Sequence, residues 1–139
     1  MKIKECILIE PFICKDDESL VEVAKKLREI NIRHIFVVNH DCYPLGIISM
    51  TDMNNRVVAK GIDPKTLTAA DIMTKPIDLI NIEDDVMTTA KEMMNKGRVM
   101  NAVVQDDKMV GIITINQLME KGALKWKDSS LWMDIWIFW

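Results

Sequence analysis

With 139 residues, 49% of them hydrophobic, and a formal net charge of -3, the chain can bury one good core and gives no electrostatic reason to expect a nucleic-acid partner. No apolar run approaches the ~20 residues of a membrane span, and the charged start Met1-Lys2-Ile3-Lys4-Glu5 lacks the apolar stretch and small-residue cleavage site of an export signal. Cys6, Cys14 and Cys42 are an odd number without C-x-x-C spacing, so a reducing, cytoplasmic setting is expected.

Along the chain, Phe12-Ile13-Cys14 forms an extended lead-in. Asp16-Asp17-Glu18-Ser19 then supplies cap residues and negative charge ahead of Leu20, Val23, Ala24, Leu27 and Ile30, whose spacing predicts an amphipathic helix. Ile35-Phe36-Val37-Val38 and the run Leu45 to Ile48 predict a strand hairpin around a turn holding Asp41 and Pro44. Ser49-Met50-Thr51-Asp52 opens a second helix through about Ala59, broken at Lys60-Gly61-Ile62-Asp63-Pro64. The plan then recurs: a lead-in at Leu79-Ile80-Asn81-Ile82, a helix from Asp85 to Lys96 ended by Gly97, strands at Met100 to Val104 and Met109 to Ile113, and a helix from about Ile115.

The recurrence is close. Ala24, Val37 and Val38 return as Ala90, Val103 and Val104, 66 residues on, while Leu45-Gly46-Ile47-Ile48-Ser49 returns as Val110-Gly111-Ile112-Ile113-Thr114, 65 residues on. The offset drops because the loop from Asn39 to Gly46 is one residue longer than that from Gln105 to Gly111. A repeat that survives an indel in a turn is a duplicated structural unit. The expected organisation is repeat 1 over 1–60, a linker over 61–68, repeat 2 over 69–124 and a tail over 125–139. The fold class is α/β (α+β): two β-α-β-β-α repeats, each too short for a confident core of its own, packed sheet to sheet with pseudo-twofold symmetry. A cleft between the copies is the expected ligand site.

Three features carry a family resemblance: Asp71-Ile72-Met73-Thr74-Lys75-Pro76, the paired strand runs, and Gly46-Ile47-Ile48-Ser49-x-x-Asp52. In these the chain resembles a tandem pair of CBS domains, a Bateman module, over roughly residues 5 to 123. The resemblance implies a regulatory module that binds an adenosine-containing ligand, such as AMP, ADP, ATP or S-adenosylmethionine, with no obligatory cofactor. It also implies a homodimer and an unspecified regulated partner protein.

Ser49-x-x-Asp52 reads in two ways on its own chemistry. It is a helix capping box, and Thr114-x-x-Gln117 fits the same box. It is also a fixed carboxylate able to accept both hydroxyls of a ribose, in charge-assisted hydrogen bonds of roughly 1.5–3 kcal/mol each. Gln117 is neutral and offers one acceptor oxygen, so one competent nucleoside site is expected, at Asp52. By resemblance, Ile47, Ser49 and Thr51 line that site. Ile77, Asp78, Val99 and Met100 would sandwich an adenine, with the backbone of Ile77 and Asp78 reading its edge. Arg33 stands where family members place a phosphate-contacting base. His34 adjoins it, Arg98 lies nearby in the second copy, and Asn116 takes a slot that is basic in some relatives. So little positive charge favours one phosphate over three, and hence AMP. For each of these residues a core or solvated-surface role is the plain alternative.

No His, Cys or Ser sits in a nucleophile arrangement, so catalysis is not expected. His40-Asp41-Cys42 reads as a polar turn, so no metal site is expected, and the 11 methionines read as flexible core filling. All 4 tryptophans, Trp126, Trp132, Trp136 and Trp139, fall in the tail, at a spacing that suits a helix or a strand. Docking on the module or a symmetry mate is the favoured fate of that aromatic surface, ahead of a partner anchor, with a membrane interface last. A rival reading follows: a CBS scaffold without ligand, used for dimerisation and partner docking through this tail.

Overall fold

A computed structural model describes residues 1–30 and 33–120; the tryptophan-rich tail lies outside the described residues. The architecture is mixed α/β, with two three-stranded sheets ordered β1-β2-β3 and β4-β5-β6. The chain divides into two compact units. Of the described residues, one unit holds 11–77 with 107–109; the other holds 1–10, 78–106 and 110–120.

In the first of these, β1 (Ile13–Lys15) runs parallel to β2 (His34–Val38), which pairs antiparallel with β3 (Pro44–Ser49). The β-branched run of β2 takes the central position, where it is buried along Ile35 to Val38. Helix α1 (Leu20–Ile30) sets Leu20, Val23 and Leu27 against Ile35, Val37 and Ile48, as its apolar spacing requires. Pro44, expected in the turn, instead heads β3, and the turn is closed by Asn39, whose Oδ1 accepts from the amides of Asp41 and Tyr43, both at 2.9 Å.

In the other unit, β4 (Leu79–Asn81) runs parallel to β5 (Met100–Gln105), which neighbours β6 (Lys108–Thr114). Helix α4 (Val86–Asn95) begins at Asp85, which accepts from the Thr88 amide at 3.0 Å, and gives way to Gly97 at φ +66°. Asp106 and Asp107 both have positive φ, 51° and 60°, which makes a two-residue hairpin turn. This is the physical content of the indel: one copy turns in two residues and the other uses a longer, asparagine-closed loop. The core gathers Ile80, Val86, Ala90, Met93, Val103 and Ile113, with Ile115, Leu118 and Met119 around the last described helix, α5 (Ile115–Glu120).

Two differences from the sequence reading matter for the site. The helix expected from Ser49 to about Ala59 is α-helical only over α2 (Met50–Met53) and continues as a π-turn over Asn54–Val58, with the Ala59 amide donating to the Asn54 carbonyl at 2.8 Å. Asn54, Asn55 and two valines are weak α-formers, and the wider turn leaves Val57 buried and Val58 exposed. The second concerns residues 69–77, which open the expected repeat 2 along the chain but pack with the first sheet. Helix α3 (Ala69–Ile72) places Ala69 and Ile72 in that core, and Thr74 exchanges both backbone hydrogen bonds with Ile47.

Residues 1–10 do the same for the other unit. Ile3 is fully buried in its core, and Ile9 exchanges backbone hydrogen bonds with Ile112. Residues 1–10, inside the expected repeat 1, thus play the part in one unit that residues 69–77 play in the other. Gly46 and Gly111 permit these crossings. A Cβ at Gly46 would lie 2.7 Å from the Thr74 carbonyl oxygen, and one at Gly111 would lie 2.6 Å from Leu8 Cβ.

Candidate functional site

The residues of 11–77 that the sequence singled out converge where β2 begins and β3 ends. His34 is the register partner of Ser49, and the Met50 amide donates to the Arg33 carbonyl at 3.1 Å, so the first turn of α2 is built against the start of β2. The capping box forms in full: the Asp52 amide donates to Ser49 Oγ at 3.0 Å, and the Ser49 amide donates to Asp52 Oδ2 at 2.9 Å. The Thr74 hydroxyl donates to Asp52 Oδ1 at 3.3 Å, and Arg56 Nε lies 3.8 Å from the same oxygen. Asp52 is 16% exposed, with each carboxylate oxygen holding one protein hydrogen bond and keeping a lone pair free.

The matching position in the other unit differs in chemistry. Gln117 Oε1 accepts from both the Thr114 amide, at 3.0 Å, and the Thr114 hydroxyl, at 3.2 Å, while Nε2 donates to the Ile7 carbonyl at 2.6 Å. Its one oxygen is filled. A diol arriving there would have to displace a capping bond, whereas at Asp52 it would not.

Arg33 is exposed and makes no ion pair or side-chain hydrogen bond among the described residues. Arg98 donates from Nε to Asp78 Oδ2 at 2.8 Å, with Lys96 3.5 Å from Oδ1, so both of these basic side chains pair with the Asp78 carboxylate. Ile47 and Ile77 are half-buried and Thr51 is exposed in the unit that holds Asp52. Asp78, Val99, Met100 and Asn116 belong to the other unit, where the Ile115 amide donates to Val99 as Met50 does to Arg33, and Asn116 Oδ1 is buried without a hydrogen-bond partner among the described residues. The sequence reading missed Thr74 and Arg56. A hydroxyl in the segment that crosses β3, and an arginine one turn beyond Asp52, were the available signals.

Burial lowers the pKa of His34 from 6.5; the Asp52 carboxylate opposes this and Arg33 adds to it. A histidine harder to protonate folded than unfolded gives its full stabilisation above about 6.5 and loses it as pH falls toward the lowered value. Unfolding stability is therefore expected to decline as pH falls below about 6.5, and the decline to be shallower in His34→Gln, as urea titrations at stepped pH would read. An equal slope in both proteins would remove His34 as its cause. Elsewhere, burial pushes the Cys14 thiol up to about 12, which leaves it no thiolate at neutral pH. Asp16, Asp17 and His40 bring ligand atoms within 4.8 Å of one another, with His40 Nε2 2.9 Å from Asp17 Oδ2 at the surface.

Comparison with known proteins agrees with this geometry. The CBS domain model matches residues 3–59 and again 69–123. An uncharacterized protein of Methanopyrus kandleri is 34% identical over 104 residues, which cover 74% of this chain and 53% of that protein. The chain thus spans about half the length of that relative. Among solved structures, Hypoxic Response Protein I, described with two coordinated zinc ions, superposes with a TM-score of 0.74 at 19% identity, covering 87% of this chain and 98% of the other. A hexameric CBS-CP12 protein from bloom-forming cyanobacteria gives 0.64 at 26% identity, covering 87% of this chain and 70% of its own.

Proposed function

We propose, for a chain that belongs to the CBS-domain family as a tandem pair, a single adenosine-ligand site built on Asp52, with AMP the favoured ligand and a partner protein the recipient of the signal. CBS pairs are a regulatory, ligand-binding module family. The observation that carries the finer reading is the contrast between Asp52, whose two oxygens each keep an acceptor position, and Gln117, whose single oxygen is filled twice. A ribose diol fits the first and not the second. One phosphate is favoured because Arg33 has no ion pair among the described residues, while Arg98 is paired with Asp78. Occupancy can shift a partner's docking by no more than the ligand's differential affinity for the two states. Self-association is part of this reading, and the hexameric cyanobacterial relative supports it.

Thermal unfolding with AMP, ADP, ATP and S-adenosylmethionine at millimolar concentration tests the proposal. A ligand present at 100 times its Kd stabilises the native state by about 2.7 kcal/mol, a shift of several degrees. A selective rise with AMP is expected. A second reading has its own support: both capping boxes are satisfied within the chain, so Asp52 has a structural role. In that reading the protein is a docking scaffold, no nucleotide raises the melting point, and deletion of residues 125–139 abolishes self-association.

A further inference from the structure

We infer that Arg56 is a positioning residue, the cation that bridges the Asp52 carboxylate and the backbone carbonyls of residues 72 and 73. Its Nη1 donates to the Ile72 carbonyl at 2.9 Å and to the Met73 carbonyl at 3.2 Å, while its Nε lies 3.8 Å from Asp52 Oδ1. The guanidinium thus spans the carboxylate and two carbonyl oxygens in a partly buried site, supplying the donor that a carboxylate lacks.

The other copy solves the same problem differently. There Gln117 stands where Asp52 does, and its own amide donates to the Ile7 carbonyl at 2.6 Å, on the segment that crosses its sheet as residues 72–74 cross theirs. One amide side chain caps the helix and holds the crossing segment. In the first copy those two tasks are split between Asp52 and Arg56, which frees acceptor capacity on Asp52. The π-turn over Asn54–Val58 is the element that delivers Arg56 to this position. Arg56 is therefore a condition for the acceptor site, and the 72–74 segment, tied by Thr74 and Arg56 to the same carboxylate, registers what binds there.

The ligand half of this inference rests on the proposed function; the structural half does not, and four proteins separate them: wild type, Arg56→Met, Asp52→Gln and the double variant. In Asp52→Gln the new amide can serve the Ile72 carbonyl as Gln117 serves Ile7. Arg56→Met is therefore expected to lower the melting point by about 3 °C or more in the wild-type background and by less than about 1 °C in the Asp52→Gln background. Equal losses in both backgrounds would overturn the role assigned to Arg56, whatever the ligand result. Calorimetric titration with AMP is expected to show Arg56→Met weakened about tenfold and Arg56→Lys, which keeps the charge and one donor direction, partly restored. Undiminished affinity in a folded Arg56→Met protein would also overturn it. A wild type that binds no adenosine ligand would sink the proposed function, and the melting comparison would then decide Arg56 alone.

Discussion

An Asp52→Ala protein is expected to fold and to bind AMP at least 100-fold more weakly than wild type, since two charge-assisted hydrogen bonds of roughly 1.5–3 kcal/mol each are lost. The fold survives because Ser49 still caps the Asp52 amide position, although the Ser49 amide and the Thr74 hydroxyl lose their acceptor and Arg56 its nearby carboxylate. Gln117→Ala gives the opposite profile. It strips the Thr114 amide and the Ile7 carbonyl of partners, so stability falls while AMP affinity stays within about twofold. Calorimetric titration of both variants, with melting curves alongside, reads the contrast. Unchanged AMP affinity in a folded Asp52→Ala would end the nucleotide reading, and equal losses in both variants would end the claim of one competent site.

Gly46→Ala and Gly111→Ala are each expected to destabilise by about 1–3 kcal/mol, although each adds a single methyl group to a strand. The new Cβ at Gly46 would meet the Thr74 carbonyl oxygen at 2.7 Å and the Met73 sulfur at 2.9 Å. At Gly111 it would meet Leu8 Cβ at 2.6 Å and the Ile9 carbonyl oxygen at 3.2 Å. Main-chain and Cβ positions cannot swing aside, so the crossing segment must lift off its strand. In Gly46→Ala that movement breaks the Ile47–Thr74 pair and carries the Thr74 hydroxyl away from Asp52, so nucleotide affinity should fall with stability. In Gly111→Ala only stability should suffer. Urea denaturation measures the first effect; a wild-type midpoint for Gly46→Ala would mean that the segment does not lie where the structure has it.

The duplicated elements were legible because their causes are local. Helical spacing at Leu20, Val23 and Leu27, β-branched runs at Ile35 to Val38, and Gly97 after α4 each act within a few residues, and each appears in the structure where the pattern put it. The crossing segments were not legible in the same way. Residues 1–10 have no periodicity of their own, and their partners at Ile82, Asp84 and Ile112 are remote in sequence. At the site, Ser49, Asp52 and His34 could be named from motif and resemblance, and the structure brings them together. Thr74 and Arg56 could not, since a hydroxyl's value depends on which strand it crosses, and the reach of Arg56 depends on a π-turn that propensity does not distinguish from an α-helix.

The crossing of residues 1–10 also sets a clock on synthesis. Residues 11–77 carry a sheet, its helix and the segment that closes over Gly46 in one continuous stretch, so this part can begin to fold as soon as it leaves the ribosome. Ile3, Cys6 and Leu8 emerge earlier but find their core only after Ile112 and Leu118 have been made, a wait of roughly 5–20 s at ordinary elongation rates. Over that interval apolar residues made early stay uncovered. A chaperone would therefore meet residues 1–10 before the strand and helix that cover them exist, whereas residues 11–77 already carry Asp52 and the sheet beside it.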